Sequence, residues 1–547
     1  MKTGQKFIRC FAITLLCGSF LAACGGGSSG ASDSDSENRE SADTTPPVIS
    51  AVSPDNDDSI MTAQVTLSGM VSDDQQLAGV DIELNDGITS ASFGLDSFAA
   101  TLELKAGLNS YTVVATDSSG NKARYEGSLY LGHRVAAANS HAGAISNGQI
   151  YSWGRNNYGQ TGLGFYSTMS DNPDIHPTSP HLVPTPADTA FAALSFGQNH
   201  SLAIDTQGRL WSWGDDADGQ LGRGDGNWSD CGLSGSTARI CRMDIGQVAD
   251  WTDVAAVAAG LDHVLVLRGD GTVWGFGSNA NGCLGLDAAI ENSSTPVQVA
   301  WSVDDIAAGN VGRIIQVAAG PGISLALDDK GQLWAWGRNS YGNLGQGYKD
   351  SDAHPTPVLV PLDAVAGSSA IVAVATGNNH ILALDTNGQV YAWGNNATSQ
   401  VGFNGYLYKG TTDAWESPLL SPRQLPAFID APAVGVYANG NTSYARRSDG
   451  KVYPWGQWGT TGADGRTTYA NLDEPEDRLA GLVDGGASGI GDNKSIIDLA
   501  VGSLFSVAMR NDGQLFSWGW SFEGSLGGGD TTTDRWMYHT PITPVLP

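Results

Sequence analysis

Basic residues are scarce. In 547 residues, 28 Lys and Arg stand against 57 Asp and Glu, a formal net charge of −29. A surface of that sign repels phosphate backbones, so nucleic acid is not an expected partner. The same acidity also favours solubility, whatever the function. Charged residues of both signs make up only 16 %, which excludes an architecture of long helices with solvated faces. The apolar run near the start, Phe11–Ala23, has 13 residues, where about 20 are needed to span a bilayer. Catalytic signatures are missing too: residues 46–547 hold no Gly-x-Ser-x-Gly elbow, no phosphate loop and no zinc-protease helix motif. The expectation is a binding protein with no catalytic residues, no metal and no cofactor. Cysteine is limited to six residues. Cys10 and Cys17 lie in the leader, and Cys231 and Cys241 lie ten positions apart in one polar insertion, where they could pair in an oxidising compartment. Cys283 replaces the Gln or Asn of a repeated motif and reads as a small buried residue.

What is present begins with an address. Lys2, Lys6 and Arg9 precede the short apolar run, as in a secretory signal peptide spanning 1–23. The run ends in Leu21-Ala22-Ala23-Cys24, which resembles the lipobox of bacterial lipoproteins. That resemblance implies lipidation of Cys24, including a palmitate-type acyl chain, and several acyl chains anchor firmly where one is marginal. Gly25 after the cysteine resembles an outer-membrane sorting signal. The expected location is the bacterial cell envelope, on the periplasmic or surface side of the outer membrane. Residues 24–45 are small, polar and acidic, and read as a disordered tether. The acids Asp33, Asp35 and Glu37 lack a hinged ligand loop and read as solvated linker.

Alternation of apolar and polar residues at Val80–Leu84, Ala99–Leu104 and Tyr111–Ala115, with turn residues between, predicts a compact β-sandwich over 46–131. The stretch Leu102–Val113, followed by Ala115-Thr116-Asp117-Ser118-Ser119-Gly120-Asn121, resembles the last hairpin of bacterial immunoglobulin-like domains. Such domains serve as stalks.

The remainder is a repeat. An aromatic-glycine pair recurs at Trp153, Trp213, Phe276, Trp336, Trp393, Trp455 and Trp518, at spacings of 60, 63, 60, 57, 62 and 63. Each pair ends a strand that follows a glycine turn, and each precedes a glycine-rich corner such as Asp218-Gly219-Gln220-Leu221-Gly222. Four strands per repeat, seven times, predict an all-β chain: a seven-bladed β-propeller over 133–547, preceded by the small immunoglobulin-like sandwich. The opening strand Arg134–Ala137 and the closing strand Pro541–Val545 are expected to share one blade, which removes exposed edges. The pattern resembles the regulator of chromosome condensation repeat family. The second repeat carries it through Gly197, His200, Gly208, Trp213, Gly214, Gly219, Gln220, Leu221 and Gly222, while Ser443 and Phe505 stand where the sixth and seventh repeats should have histidine. His141, His200, His263 and His380 are read as structural, each hydrogen-bonding within its own blade. Asp215, Asp216 and Asp218 are read as a solvated corner.

The resemblance implies a binding role. Guanine-nucleotide exchange, the role of the family's namesake, fits an exported acidic chain poorly, whereas bacterial β-lactamase inhibitor proteins of propeller type share the repeats, the export and a loop-built face. The variable insertions carry Tyr166, Trp228, Tyr348, Tyr406, Tyr408, Trp415, Tyr469, Trp536 and Tyr538, aromatic anchors of the kind that dominate interfaces. The Cys231–Cys241 loop would stiffen that face. The expected partner is a protein. A cell-wall glycan is the alternative, because aromatic residues also stack on sugars, and a polymer-cleaving enzyme is a further one. Alanine at Trp415 and Trp536 is expected to weaken partner capture without unfolding the ring, and unchanged capture in a pull-down counts against the face.

Overall fold

The computed structural model describes residues 43–54, 56, 58–85, 87–167, 176–226, 229–234, 237–287, 289–362, 367, 369–402, 418–425, 432–448, 452–456, 496–520, 523–529, 537–542 and 544–546. The signal peptide, Cys24 and most of the tether lie outside them. Everything below belongs to the compact unit Thr45–Pro547.

Its first part is a pair of sheets. One runs in the order Val48–Ser53, Gln64–Ser72, Ser97–Glu103, Ser92–Phe93; the other in the order Ser59–Ile60, Lys122–Leu131, Gly107–Asp117, Leu77–Leu84, Gly87–Ser90. Period-two side chains face inward: Phe98, Ala100 and Leu102 are buried between exposed neighbours. They share a core with Leu67, Ile82 and Val113. The turns are tied by single side chains. Asn109 donates to Lys105 O at 2.7 Å and accepts from Lys105 N at 2.9 Å, and Asp117 Oδ1 accepts from Ser119 N and Asn121 N.

Among the described residues, those from Val135 onward form seven sheets in succession, six of them with at least four antiparallel strands. The second is typical: Phe191–Phe196, His200–Asp205 and Leu210–Asp215 lie side by side from the inside out. The aromatic-glycine pair has a steric cause. Gly214 sits at φ +105°, and a Cβ there would fall 2.6 Å from Asn199 O.

Neighbouring sheets are latched by the aromatic of that pair. Trp213 Nε1 donates to Gln160 O in the corner of the preceding sheet at 2.8 Å. Trp336 does the same to Cys283 O, Trp393 to Asn343 O and Trp455 to Gln400 O, at 2.8, 2.9 and 3.0 Å. Trp153 of the first sheet donates to Ser525 O of the seventh at 2.9 Å. The corner holds its shape because its Gln or Asn side chain accepts a backbone N–H two residues back, as Gln160 does from Tyr158 and Asn343 from Tyr341. Phe276 has no N–H to offer, and Trp518 turns to Tyr444 Oη at 3.3 Å instead.

Closure differs from the sequence expectation. The last strand, Met537–Ile542, pairs with its own sheet through Gly519↔Tyr538 and Ser517↔Ile542. The first sheet is completed by His181–Leu182. First and last sheets therefore meet through packing and polar contacts, not through a shared strand. The main contact is Asp498, buried on the seventh sheet. Its carboxylate accepts from Arg134 N at 2.5 Å and Val135 N at 3.1 Å and lies 2.9 Å from His133 Nδ1.

The sandwich is docked on the propeller face that bears the glycine turns. Tyr130 Oη donates to Ala192 O at 2.6 Å, Ala63 N to Ile315 O at 2.9 Å, and Arg446 pairs with Asp58 at 3.0 Å across the junction. Strand Lys122–Leu131 runs from the tip of the sandwich to this junction, a span of roughly 30 Å at about 3.3 Å per residue. Thr45 lies at the far tip, where its carbonyl accepts from Asn121 Nδ2.

Removing Asp498 leaves several buried N–H groups unpaired at the closure. Asp498→Ala is expected to cost about 3–5 kcal/mol in urea unfolding; a loss below about 1 kcal/mol contradicts this account of closure.

Candidate functional site: the corner face and the channel mouth

The aromatic-glycine strands end on the side away from the sandwich, so the corners and the insertions that follow them emerge there. Of the nine aromatics expected on this side, two side chains are described. Tyr166 is half-buried. Tyr348 is 46 % exposed and packs edge-on against His354, which bonds Asp350 at 2.8 Å. Tyr538 falls on the outermost strand of the seventh sheet, not in an insertion. Trp228, Tyr406, Tyr408, Trp415, Tyr469 and Trp536 lie outside the described residues.

Cys231 and Cys241 form a disulfide within the hairpin of Ser229–Ser234 and Thr237–Val248, which adds a fifth strand to the second sheet. Arg242, next to the disulfide, bonds Asp216 at 2.9 Å and Gly224 O at 2.5 Å. The acidic corner is thus not solvated as expected: Asp215 and Asp216 are 7 % and 6 % exposed. Burial pushes the Asp215 carboxyl up to about 7 and that of Asp262, on the neighbouring sheet, up to about 6. Sequence alone misses this because the cover comes from a hairpin inserted later in the chain. Burial also pushes the Cys283 thiol up to about 12, consistent with its place inside a corner.

The four histidines are buried, but three of them bond a serine of the next sheet rather than their own. His141 Nε2 meets Ser201 Oγ at 3.1 Å, His263 meets Ser324 at 3.0 Å and His380 meets Ser443 at 2.7 Å. Each serine hydroxyl in turn donates a hydrogen bond to the corner carbonyl that also accepts the indole: Gln160 O, Cys283 O and Gln400 O. His200 faces Val264 in the equivalent place and has no ring partner among the described residues.

At the centre of this face the channel opens. Its mouth is lined by the ends of the inner strands and their turns, including Asn139, Gln198, Leu261, Pro321, Asn378 and Ser503. Below it a shaft runs between inner strands rich in alanine and valine, and Met61, Leu131 and His133 floor it.

Repeated hairpins latched from corner to indole around a channel define a β-propeller of repeat type. The chain belongs to the family of the regulator of chromosome condensation: the RCC1-like domain matches residues 223–546, and the RCC1 repeat matches 147–204 and 191–220. Among curated relatives, mouse Protein RCC2 is 28 % identical over 284 residues, covering 48 % of this chain and 49 % of its own length. The chain thus spans about half the length of that relative. The Ultraviolet-B receptor UVR8 of Arabidopsis thaliana is 28 % identical over 402 residues, covering 73 % and 79 %. Among solved structures, Prp20p of Saccharomyces cerevisiae superposes with a TM-score of 0.54 at 20 % identity, covering 76 % of this chain and 88 % of that one. At that identity the likeness speaks to fold alone.

Burial lowers the histidines to about 3 for His141, His200 and His380, and about 4 for His263. Folded pKa values below the unfolded value of about 6.5 mean that the unfolded chain takes up protons first as pH falls. Their contribution is intact above about 6.5 and shrinks as pH falls towards 3–4. Phe505 already fills the equivalent site in the seventh sheet. His200→Phe is therefore expected to match or exceed wild-type stability at pH 7 and to lose less between pH 6.5 and 4. An unchanged slope in denaturant titrations across that range contradicts the buried neutral imidazole.

Proposed function

We propose that this chain is a lipid-anchored cell-envelope protein that captures a partner protein on the corner face of a seven-bladed propeller, with an immunoglobulin-like sandwich as a rigid spacer and no catalysis of its own. The observation that carries this reading is the division of the two propeller faces. The sandwich occupies the turn face through Tyr130, Ala63 and Asp58. The described corners, the exposed Tyr348 and the disulfide-bonded hairpin belong to the opposite face. An anchor on Cys24 joins the folded part at Thr45, on the sandwich tip far from the propeller, and so leaves the corner face unobstructed. Binding fits the family too: the solved structure of Prp20p is described with its binding properties to Gsp1p and histones. Export, which the leader supports, leaves histones and nucleotide exchange out of reach, and an envelope protein is the reading that fits it.

The test is site-specific photocrosslinking of the full-length chain in its native bacterium. A crosslinker at Tyr348 is expected to give a discrete protein adduct, and one at Met70, exposed on the sandwich, is expected to give none. Cys24→Ser is expected to move the chain from the membrane to the soluble fraction. Adducts from Met70 alone, or membrane retention of the Cys24 variant, contradict the proposal.

A further inference from the structure

The channel is continuous from mouth to floor. Two cavities of about 210 and 200 Å³ share Phe196, Ala259, Ala319 and Thr376 in their walls. Their chemistry differs. In the lower shaft the polar groups serve the protein itself. Ser195 Oγ accepts from Ala259 N at 2.9 Å, Gln316 both donates to Val374 O and accepts from Val374 N, and Thr376 Oγ1 donates to Gly377 O at 3.0 Å. The other side chains at the lumen are mostly alanine and valine, with Phe196 and Asn439 towards the mouth, Asn439 bonded to Val501 O and Gly440 N, and with His133, bonded to Asp498, beside Met61 and Leu131 at the floor. The side chains of such a lining offer an occupant mostly apolar contact area.

The mouth is the reverse. Asn139, Gln198, Asn378 and Ser503 are half-buried at its rim, and their side chains make no hydrogen bond among the described residues. Among the described residues no Asp, Glu, Lys or Arg lines either cavity, although the chain as a whole carries −29. Glycines 197, 260, 320 and 377 in the rim turns let adjacent sheets pack closely, since a Cβ at each would lie 2.7–3.0 Å from the carbonyl of the next turn. An apolar cavity of roughly 150 Å³ is enough to admit a benzene ring, so the shaft has room for one leucine or phenylalanine side chain.

We propose that the channel mouth is the central subsite of the corner face, and that it takes an uncharged loop of the partner protein whose tip inserts one leucine- or phenylalanine-sized side chain into the shaft. The loop's backbone amides bond Asn139, Gln198 and Asn378 around the rim. This rests on the protein-capture reading and adds the chemistry of the captured segment. A sugar fits the rim better than the shaft, where its hydroxyls would lose water among side chains that are mostly alanine and valine. A cationic tip finds no carboxylate among the described residues of either lining, and an anionic tip finds only His133, already bonded to Asp498.

The probes are capped tripeptides, acetyl-Gly-Xaa-Gly-amide with leucine, lysine or glutamate in the middle, together with N-acetylglucosamine. Binding to the purified full chain is followed by saturation-transfer NMR. The leucine peptide is expected to bind at least about tenfold tighter than the lysine and glutamate peptides, the factor that burying one apolar side chain supplies. Asn378→Ala is expected to weaken it severalfold, and Ala258→Phe, which fills the shaft, to abolish it. Ala375→Leu on another sheet is the second filling variant, should the first unfold. Equal binding of the three peptides, undiminished binding to a folded filling variant, or preference for the sugar overturns the inference. Photocrosslinking at Tyr348 separates the two failures. A chain that still gives the Tyr348 adduct but ignores the leucine peptide refutes the channel subsite and leaves protein capture standing. Loss of the Tyr348 adduct in wild type refutes the reading beneath it.

Discussion

One backbone carbonyl in each of several corners accepts an indole N–H from the next sheet, and in three of them a serine hydroxyl as well. Gln160 O receives Trp213 and Ser201, Cys283 O receives Trp336 and Ser324, and Gln400 O receives Trp455 and Ser443. Each bond is worth only about 1 kcal/mol net. Burying the indole itself, some 150–250 Å² at about 25 cal/mol per Å², contributes on the order of 4–6 kcal/mol. Burial therefore holds the sheets together, and the hydrogen bond decides where each sheet stops relative to its neighbour. A carbonyl in a glycine corner can take that place only if the corner is rigid, which the side chains of Gln160, Asn343 and Gln400 ensure.

Consequences for function follow from this register. Because the corner is where the latch is made, every insertion that follows a corner starts from the same side of the propeller. The glycine turns end up on the other side, where Tyr130, Ala63, Asp58 and the Asp498 cluster seat the sandwich. The same docking floors the channel with Met61 and Leu131 and leaves it open only among the corners. One face carries the sandwich, and the other carries the described corners and the channel mouth.

The repeat was legible in the sequence because its cause is local. The glycine after each aromatic cannot be replaced without striking a carbonyl, and the glycine turn and the corner each lie within about twenty residues of it. The strands of the sandwich were legible for the same reason, since period-two alternation is written along a single strand. What was not legible depends on partners far away in the chain. Whether His141 bonds within its sheet or reaches Ser201 is a matter of inter-sheet register, and whether His200 finds a partner depends on Val264, 64 positions on. The last strand shows the same limit, since proline marks it as an outer strand without saying which sheet it joins. The docking of the sandwich rests on single residues such as Tyr130 and Asp58, which carry no pattern at all. The covered acidic corner needed the Arg242 hairpin to be placed over Asp216 before its carboxylates could be recognised as buried.

The central claim is that recognition belongs to the corner face alone. Hydrogen–deuterium exchange, compared between the free chain and the chain with its crosslinked partner, tests it directly. The account predicts added protection around Asn139, Gln198, Leu261, Asn378 and Tyr348, with the sandwich strands unchanged. Protection concentrated on the outer strands of the sandwich, with the channel mouth exchanging as before, would contradict it.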